Sequence, residues 1–193
     1  MTSFQIVMIM IAVYFAYHFY RMLMVMEENP ERVLGQEEEI APKFEDYIEE
    51  ADKEYAEGNV EQARVLLENI VKVFPTIAEG MNKLAYVLTK EGNNQEALSY
   101  YKQSLRIDPE DDVTHNAVAS VFSSLNREDE AIEHYQEALS IDSDYEDTWF
   151  NYGNLMLKMG KEENALKMYK RVLEINANFE EAKESIKNIE SNK

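Results

Sequence analysis

Two patterns of hydrophobic and polar positions divide the chain. From Ser3 to Tyr20 it reads SFQIVMIMIAVYFAYHFY, with no acid or strong base, and after Arg21 it continues MLMVM before Glu27 and Glu28. Beyond residue 43 short apolar clusters instead alternate with charged and polar residues, and particular positions recur at fixed intervals. The first pattern predicts one continuous apolar helix, and the second predicts an array of amphipathic ones.

At ~1.5 Å rise per residue the apolar segment spans roughly 27 Å to Tyr20 and about 36 Å to Met26. A hydrocarbon core needs about 30 Å, so residues 3–26 are expected to form a single transmembrane anchor helix. Arg21 can snorkel toward headgroups, and Tyr14, Phe15, Tyr17, Phe19 and Tyr20 crowd one end as an interfacial aromatic belt does. A cleaved signal peptide wants basic residues before the apolar run and a small-x-small exit; neither is present. An in-plane helix would need a charged face, which is also missing. Arg21, Arg32 and Lys43 all follow the segment's core and no basic residue precedes it, so the positive-inside bias places the bulk of the protein in the cytoplasm. Ala12 and Ala16 form a small-xxx-small pair able to seat a second helix, which leaves a homo-oligomer open. Residues 27–43, with Pro30, Gly35 and Pro42 and no sustained period, are expected to be an acidic linker.

The second pattern is an internal repeat with an interval of 34 residues. An alanine recurs at Ala63, Ala97, Ala131 and Ala165, and a bulky side chain follows one helical turn later at Leu67, Tyr101, Tyr135 and Tyr169. A branched residue recurs at Val73, Ile107, Ile141 and Ile175, and a turn residue at Gly58, Gly92, Asn126 and Gly160. The alanine lets two helices approach closely, and the bulky residue fills the space beside it. Gly or Asn tolerates the left-handed conformation in which a helix ends and the chain reverses.

The stretches GNNQEALSYYKQSLRIDPEDD and GKEENALKMYKRVLEINANFEEA carry a resemblance: they are similar to tetratricopeptide (TPR) repeats. Small residues at Ala51, Ala85, Ala119 and Gly153 fit that family's first-helix pattern, and its usual Trp column holds Tyr47, Met81, His115 and Trp149. The resemblance implies an all-α chain: an α-solenoid of four TPR helix pairs, at 44–77, 78–111, 112–145 and 146–179, preceded by the transmembrane helix. EEAKESIKNIESNK places Ala182, Ile186 and Ile189 on one face, so residues 180–190 are expected to form a capping helix. Glu50 and Glu54 stand where later repeats have Leu84 and Leu88, as suits the polar end of an array.

Charge narrows the function classes. A formal net charge of −19, with all 38 acids after Met26, argues against nucleic acid, because neutralising phosphate needs Lys and Arg in excess. With no cysteine, thiolate catalysis and Cys-type zinc sites are excluded. His18 lies in the anchor, His115 in the Trp-like column and His134 beside Tyr135, with no second ligand at metal spacing. DPEDD and DSDYED lack the central Gly and distant Glu of a calcium loop and fall at repeat junctions, where turn chemistry accounts for them. No cofactor, no metal and no enzymatic activity are expected.

What remains is the groove that the resemblance implies, lined by first-helix positions holding Asn82, Tyr86, Asn116, Ser120, Phe150 and Asn154. Asparagine can donate to and accept from a peptide backbone at once, and Tyr or Phe offers flat apolar area, which suits a protein or peptide partner. The chaperone-binding branch of the family grips a carboxylate with a basic clamp. In this chain those columns hold Ile48 and Asp52, then Lys83, then Val113 and Ala117, which is no such clamp. Starting one repeat later gives Asn82 and Tyr86, then Ala117, then Asp147 and Asn151, again no clamp. The expected function is a membrane-anchored protein–protein interaction scaffold that recruits or helps assemble partner proteins through this concave groove; a bacterial inner membrane suits so small a chain without cysteine. Two alternatives stay open: a periplasm-facing chaperone for secreted or cytochrome-maturation clients, and a self-associating structural membrane protein.

Overall fold

A computed structural model describes residues 44–191. The expected anchor at 3–26 and linker at 27–43 lie outside the described residues. The chain divides into two compact units: Phe44, Glu45 and Asp46 belong to the first, and Tyr47 onward forms the second. Among the described residues there are nine α-helices and no strand. None of these helices is long and apolar enough to cross a membrane. They are α1 (Phe44–Ala56), α2 (Val60–Val73), α3 (Ala78–Lys90), α4 (Asn94–Ile107), α5 (Asp112–Ser124), α6 (Glu128–Ile141), α7 (Glu146–Lys158), α8 (Glu162–Ile175) and α9 (Glu180–Ser191).

From α3 to α8 each helix packs on the next, and the first helices α3, α5 and α7 also touch one another directly. Such nearest-neighbour stacking is a solenoid, in which every element covers the apolar face of the one before it. The small-residue columns make the close pairings. Ala63, Ala97, Ala131 and Ala165 are fully buried, as are Ala85 and Ala119, and the bulky partners Leu67, Tyr101, Tyr135 and Tyr169 are at most 3% exposed. Burying a side chain of that size is worth about 1.5–3 kcal/mol, so the recurrence of this pair supplies much of each repeat's core.

Each reversal within a pair uses the turn column. Gly58, Gly92, Asn126 and Gly160 all have positive φ, at 86°, 82°, 56° and 71°. The next N–H then bonds back across the helix end, as in Asn59 to the carbonyl of Glu54 at 2.9 Å and Arg127 to that of Phe122 at 2.9 Å. That pattern satisfies carbonyls the ending helix would leave bare. The junctions between pairs work differently. Asp108, Asp142 and Asn176 accept from the backbone N–H two residues on, at Glu110, Asp144 and Asn178. These are Asx turns, so the acidic junction motifs shape the chain.

The last helix closes the array. Ala182 and Ile189 of α9 are buried, and the helix packs on α8 with its charges outward. At the other end Glu50 is exposed and Glu54 half-buried, its carboxylate accepting from Asn59 at 2.8 Å.

Candidate groove between the first helices

The first helices of three successive pairs enclose a cavity of about 330 Å³. Ala51, Asp52 and Tyr55 of α1 form one wall; Asn82, Lys83, Tyr86 and Val87 of α3 form the middle, and Val113, Thr114 and Ala117 of α5 form the other wall. Leu67 of α2 and Tyr101 of α4 reach in between them as the floor. This volume lies at the low end of the range for ligand pockets, about 300–1,000 Å³. It has room for a side chain or two of a partner, and the lining is mostly apolar.

Its aromatic edge is ordered by ring contacts. Tyr55 and Tyr86 meet edge to face with centroids 5.7 Å apart, and the ammonium of Lys90 lies 5.0 Å from the Tyr86 centroid. Tyr86 is nevertheless 45% exposed and Val113 53%, so both present apolar surface to an incoming chain. Burial raises the Tyr55 phenol above its ordinary value, with the neighbouring Tyr86 adding to the rise, and burial pushes the Tyr101 phenol up to about 12. Tyr55 and Tyr101 therefore stay neutral and protonated at physiological pH.

The polar edge is set by two hydrogen-bonded pairs. Both carboxylate oxygens of Asp52 accept from Lys83 Nζ at 2.9 Å. Asn82 donates through Nδ2 to Asp111 Oδ2 at 3.0 Å. Asp111 is also the N-cap of α5, accepting from Thr114 N at 3.1 Å and from its hydroxyl at 2.6 Å. Asn82 Oδ1 is buried and has no partner.

Of the six groove positions read from the sequence, Asn82 and Tyr86 line this cavity. The other four lie outside its lining and contact neighbours elsewhere in the array. Asn116 is 8% exposed and accepts from Asn151 Nδ2 at 3.2 Å, tying α5 to α7. The hydroxyls of Ser120 and Tyr135 lie 3.1 Å apart, and Asn154 accepts from the Tyr169 hydroxyl at 2.8 Å. Phe150 packs against Tyr169 and Phe179 with centroids 5.6 and 5.1 Å away. Tyr55, Leu67 and Tyr101 were missed as lining residues. Leu67 and Tyr101 belong to a column that is buried in every repeat, so its periodicity carries no sign that the cavity reaches them, and Tyr55 stands in a column that later holds Thr89, Ser123 and Leu157. The histidines without an evident partner in the sequence turn out to be partners of each other, His115 on α5 and His134 on α6. Among the described residues no cluster of three or more His, Asp or Glu side chains is arranged to hold a metal ion.

Three solved structures place this architecture. Pseudomonas aeruginosa pilF is 24% identical with a TM-score of 0.69, over 76% of this chain and 67% of that one. YrrB, described as a TPR protein with an unusual peptide-binding site, is 18% identical with a TM-score of 0.65, over 86% and 88%. The first TPR of Spaghetti (RPAP3), solved bound to the HSP90 peptide SRMEEVD, is 25% identical with a TM-score of 0.56, over 59% and 90%. The first two likenesses establish the fold alone. No curated protein sequence matches the chain. Two family models, each described as a tetratricopeptide repeat, match residues 76–144 and 122–187. Their matches overlap and run without a break from 76 to 187, more than half of the 193 residues, and the chain belongs to the tetratricopeptide-repeat family.

Proposed function

We propose that this chain is a membrane-anchored scaffold that holds a partner protein by inserting one or two of the partner's side chains between α1, α3 and α5. The cavity carries the reading: three helices stand around an apolar space that their own side chains leave open, with Tyr86 and Val113 exposed at its edge. Family membership supports a role in protein–protein interaction, and a protein of this kind works by binding and not by turnover. Residues 3–26 would fix the array at a membrane, a bacterial inner membrane in our reading, and the basic residues after the segment favour the cytoplasmic side. Recruitment to a surface raises the local concentration of the partner without any new contact.

A photocrosslinking residue at Tyr86 or Val113 in the full-length chain in cells tests this. One discrete product should form from both cavity positions and be missing from Lys170, which is exposed on α8. Equal products from Lys170 would sink the cavity as the docking site. A reporter fused after Lys193 should score cytoplasmic, and a periplasmic score would reverse the topology.

A further inference from the structure

The cavity has a charge preference as well as a shape, and we infer that it takes a segment pairing an apolar side chain with an adjacent Lys or Arg. The inference rests on the cavity being the segment-binding site and adds the chemistry of the segment.

The polar groups at the cavity are unequal in number and in availability. Lys83 is the cation of the lining, and two carboxylates converge on it: Asp52 at 2.9 Å and Glu79 at 3.8 Å. A carboxylate arriving with a ligand would have to displace one of them to reach the ammonium. An arriving ammonium or guanidinium has an open approach, because Asp52 and Glu79 are 54% and 55% exposed as side chains. Exposed pairs of this kind are held weakly, so Asp52 can share itself with a second cation at little cost.

The opposite end of the polar edge repeats the bias. Asn82 gives one of its two Nδ2 hydrogens to Asp111, which also takes two hydrogen bonds from Thr114. Turning the amide over would set its oxygen against the Asp111 carboxylate, so the atom left without a partner is an acceptor. Lys90, the other cation nearby, sits over the face of Tyr86. Around the apolar space there are thus three carboxylates, Asp52, Glu79 and Asp111, against Lys83 and Lys90. Beyond them the chain carries a formal net charge of −19. A ligand satisfies this surroundings best with donors and positive charge. Acidic tails and a second copy of the same acidic chain are both disfavoured.

The test uses the full chain in detergent micelles and three fluorescent seven-residue peptides. All three share a central Leu-Phe and differ only in their flanks, which are Lys and Arg, Ala, or Glu. The Lys/Arg peptide should bind about tenfold tighter than the Ala peptide at low salt, with the gap closing as salt rises, and the Glu peptide should bind weakest. Asp52→Asn, at an exposed position, should shrink that preference to about threefold or less with the circular dichroism unchanged, and Glu79→Gln should act in the same direction. Tyr86→Ala should weaken all three peptides together. If the Glu peptide binds as well as the Lys/Arg peptide, the charge inference is wrong while the cavity reading stands. If Lys/Arg binding survives Tyr86→Ala at full strength, the attraction is to the acidic surface at large and the inference fails. Absence of binding by all three peptides would overturn the inference and the cavity reading together.

Discussion

The imidazoles of His115 and His134 meet Nδ1 to Nδ1 at 3.0 Å, with ring centroids 5.2 Å apart. His115 Nε2 lies 3.2 Å from the Pro109 carbonyl, which can only accept, so that nitrogen carries its hydrogen. In the neutral pair His115 Nδ1 is then the acceptor and His134 Nδ1 donates. Burial, and then the neighbouring His115, hold His134 below its ordinary value of 6.5. Lys102 of α4 pushes the same way, while Glu133 and Glu137 on α6 oppose it.

The fold therefore favours neutral His134. That contribution to stability is complete above the unfolded value near 6.5 and is lost as pH falls below it through the depressed folded value. Thermal unfolding of the wild type should drop between about pH 7.5 and 5.5, and His134→Gln should flatten the drop. A variant with an unchanged acid slope would show that the pair is not its source.

A second close approach fixes a glycine. A Cβ added at Gly153 would stand 2.7 Å from Tyr169 Cε1 and 3.0 Å from Cδ1. The ring cannot retreat, because it is fully buried and its hydroxyl is bonded to Asn154. Alanine is favoured over glycine in a helix by about 1 kcal/mol, yet overpacking a filled core costs about 1–3 kcal/mol. Gly153→Ala should therefore lower stability to urea, although the same column holds alanine in the other three repeats. A more stable variant would mean that α7 and α8 part freely.

Asn126 is the one described residue other than glycine with positive φ, and its side chain is exposed. Asn126→Gly should stabilise the chain by a few tenths of a kcal/mol, whereas Asn126→Val should destabilise it by about 1–2 kcal/mol, since a β-branched residue resists that conformation. Denaturant midpoints of the two variants moving together would contradict this.

The helical array was legible because its causes repeat. Ala97 and Tyr101, or Gly92, do the same work in each pair, so one interval exposes them all. The cavity was only partly legible, since it depends on which columns of three pairs meet. Asn82 keeps its place at the cavity because Asp111 holds its nitrogen, while Asn116, in the same column, turns to Asn151 instead. One column misleads in the other direction: Val73, Ile107 and Ile141 repeat faithfully, yet they are 65%, 43% and 39% exposed. Recurrence marks a shared position, and burial depends on what the next helix brings against it. The histidine pair left no signal at all, because the separation between α5 and α6 across a turn follows no ligand spacing.

That contrast between two asparagines yields a last prediction. Asn116 is buried and bonded across the junction between α5 and α7, so Asn116→Ala leaves Asn151 Nδ2 short of its acceptor. Losing such a bond costs about 1 kcal/mol. Crosslinking from Tyr86, one pair earlier, should keep its product and yield, because the cavity is built from α1, α3 and the first turns of α5 and does not include Asn116. Urea denaturation and the Tyr86 crosslink measured on the same variant separate the two roles. Lost stability with an intact crosslink places Asn116 among the residues that hold the array together. An intact stability with a lost crosslink would place it in the docking surface, and the groove would then extend beyond the three helices that enclose the cavity.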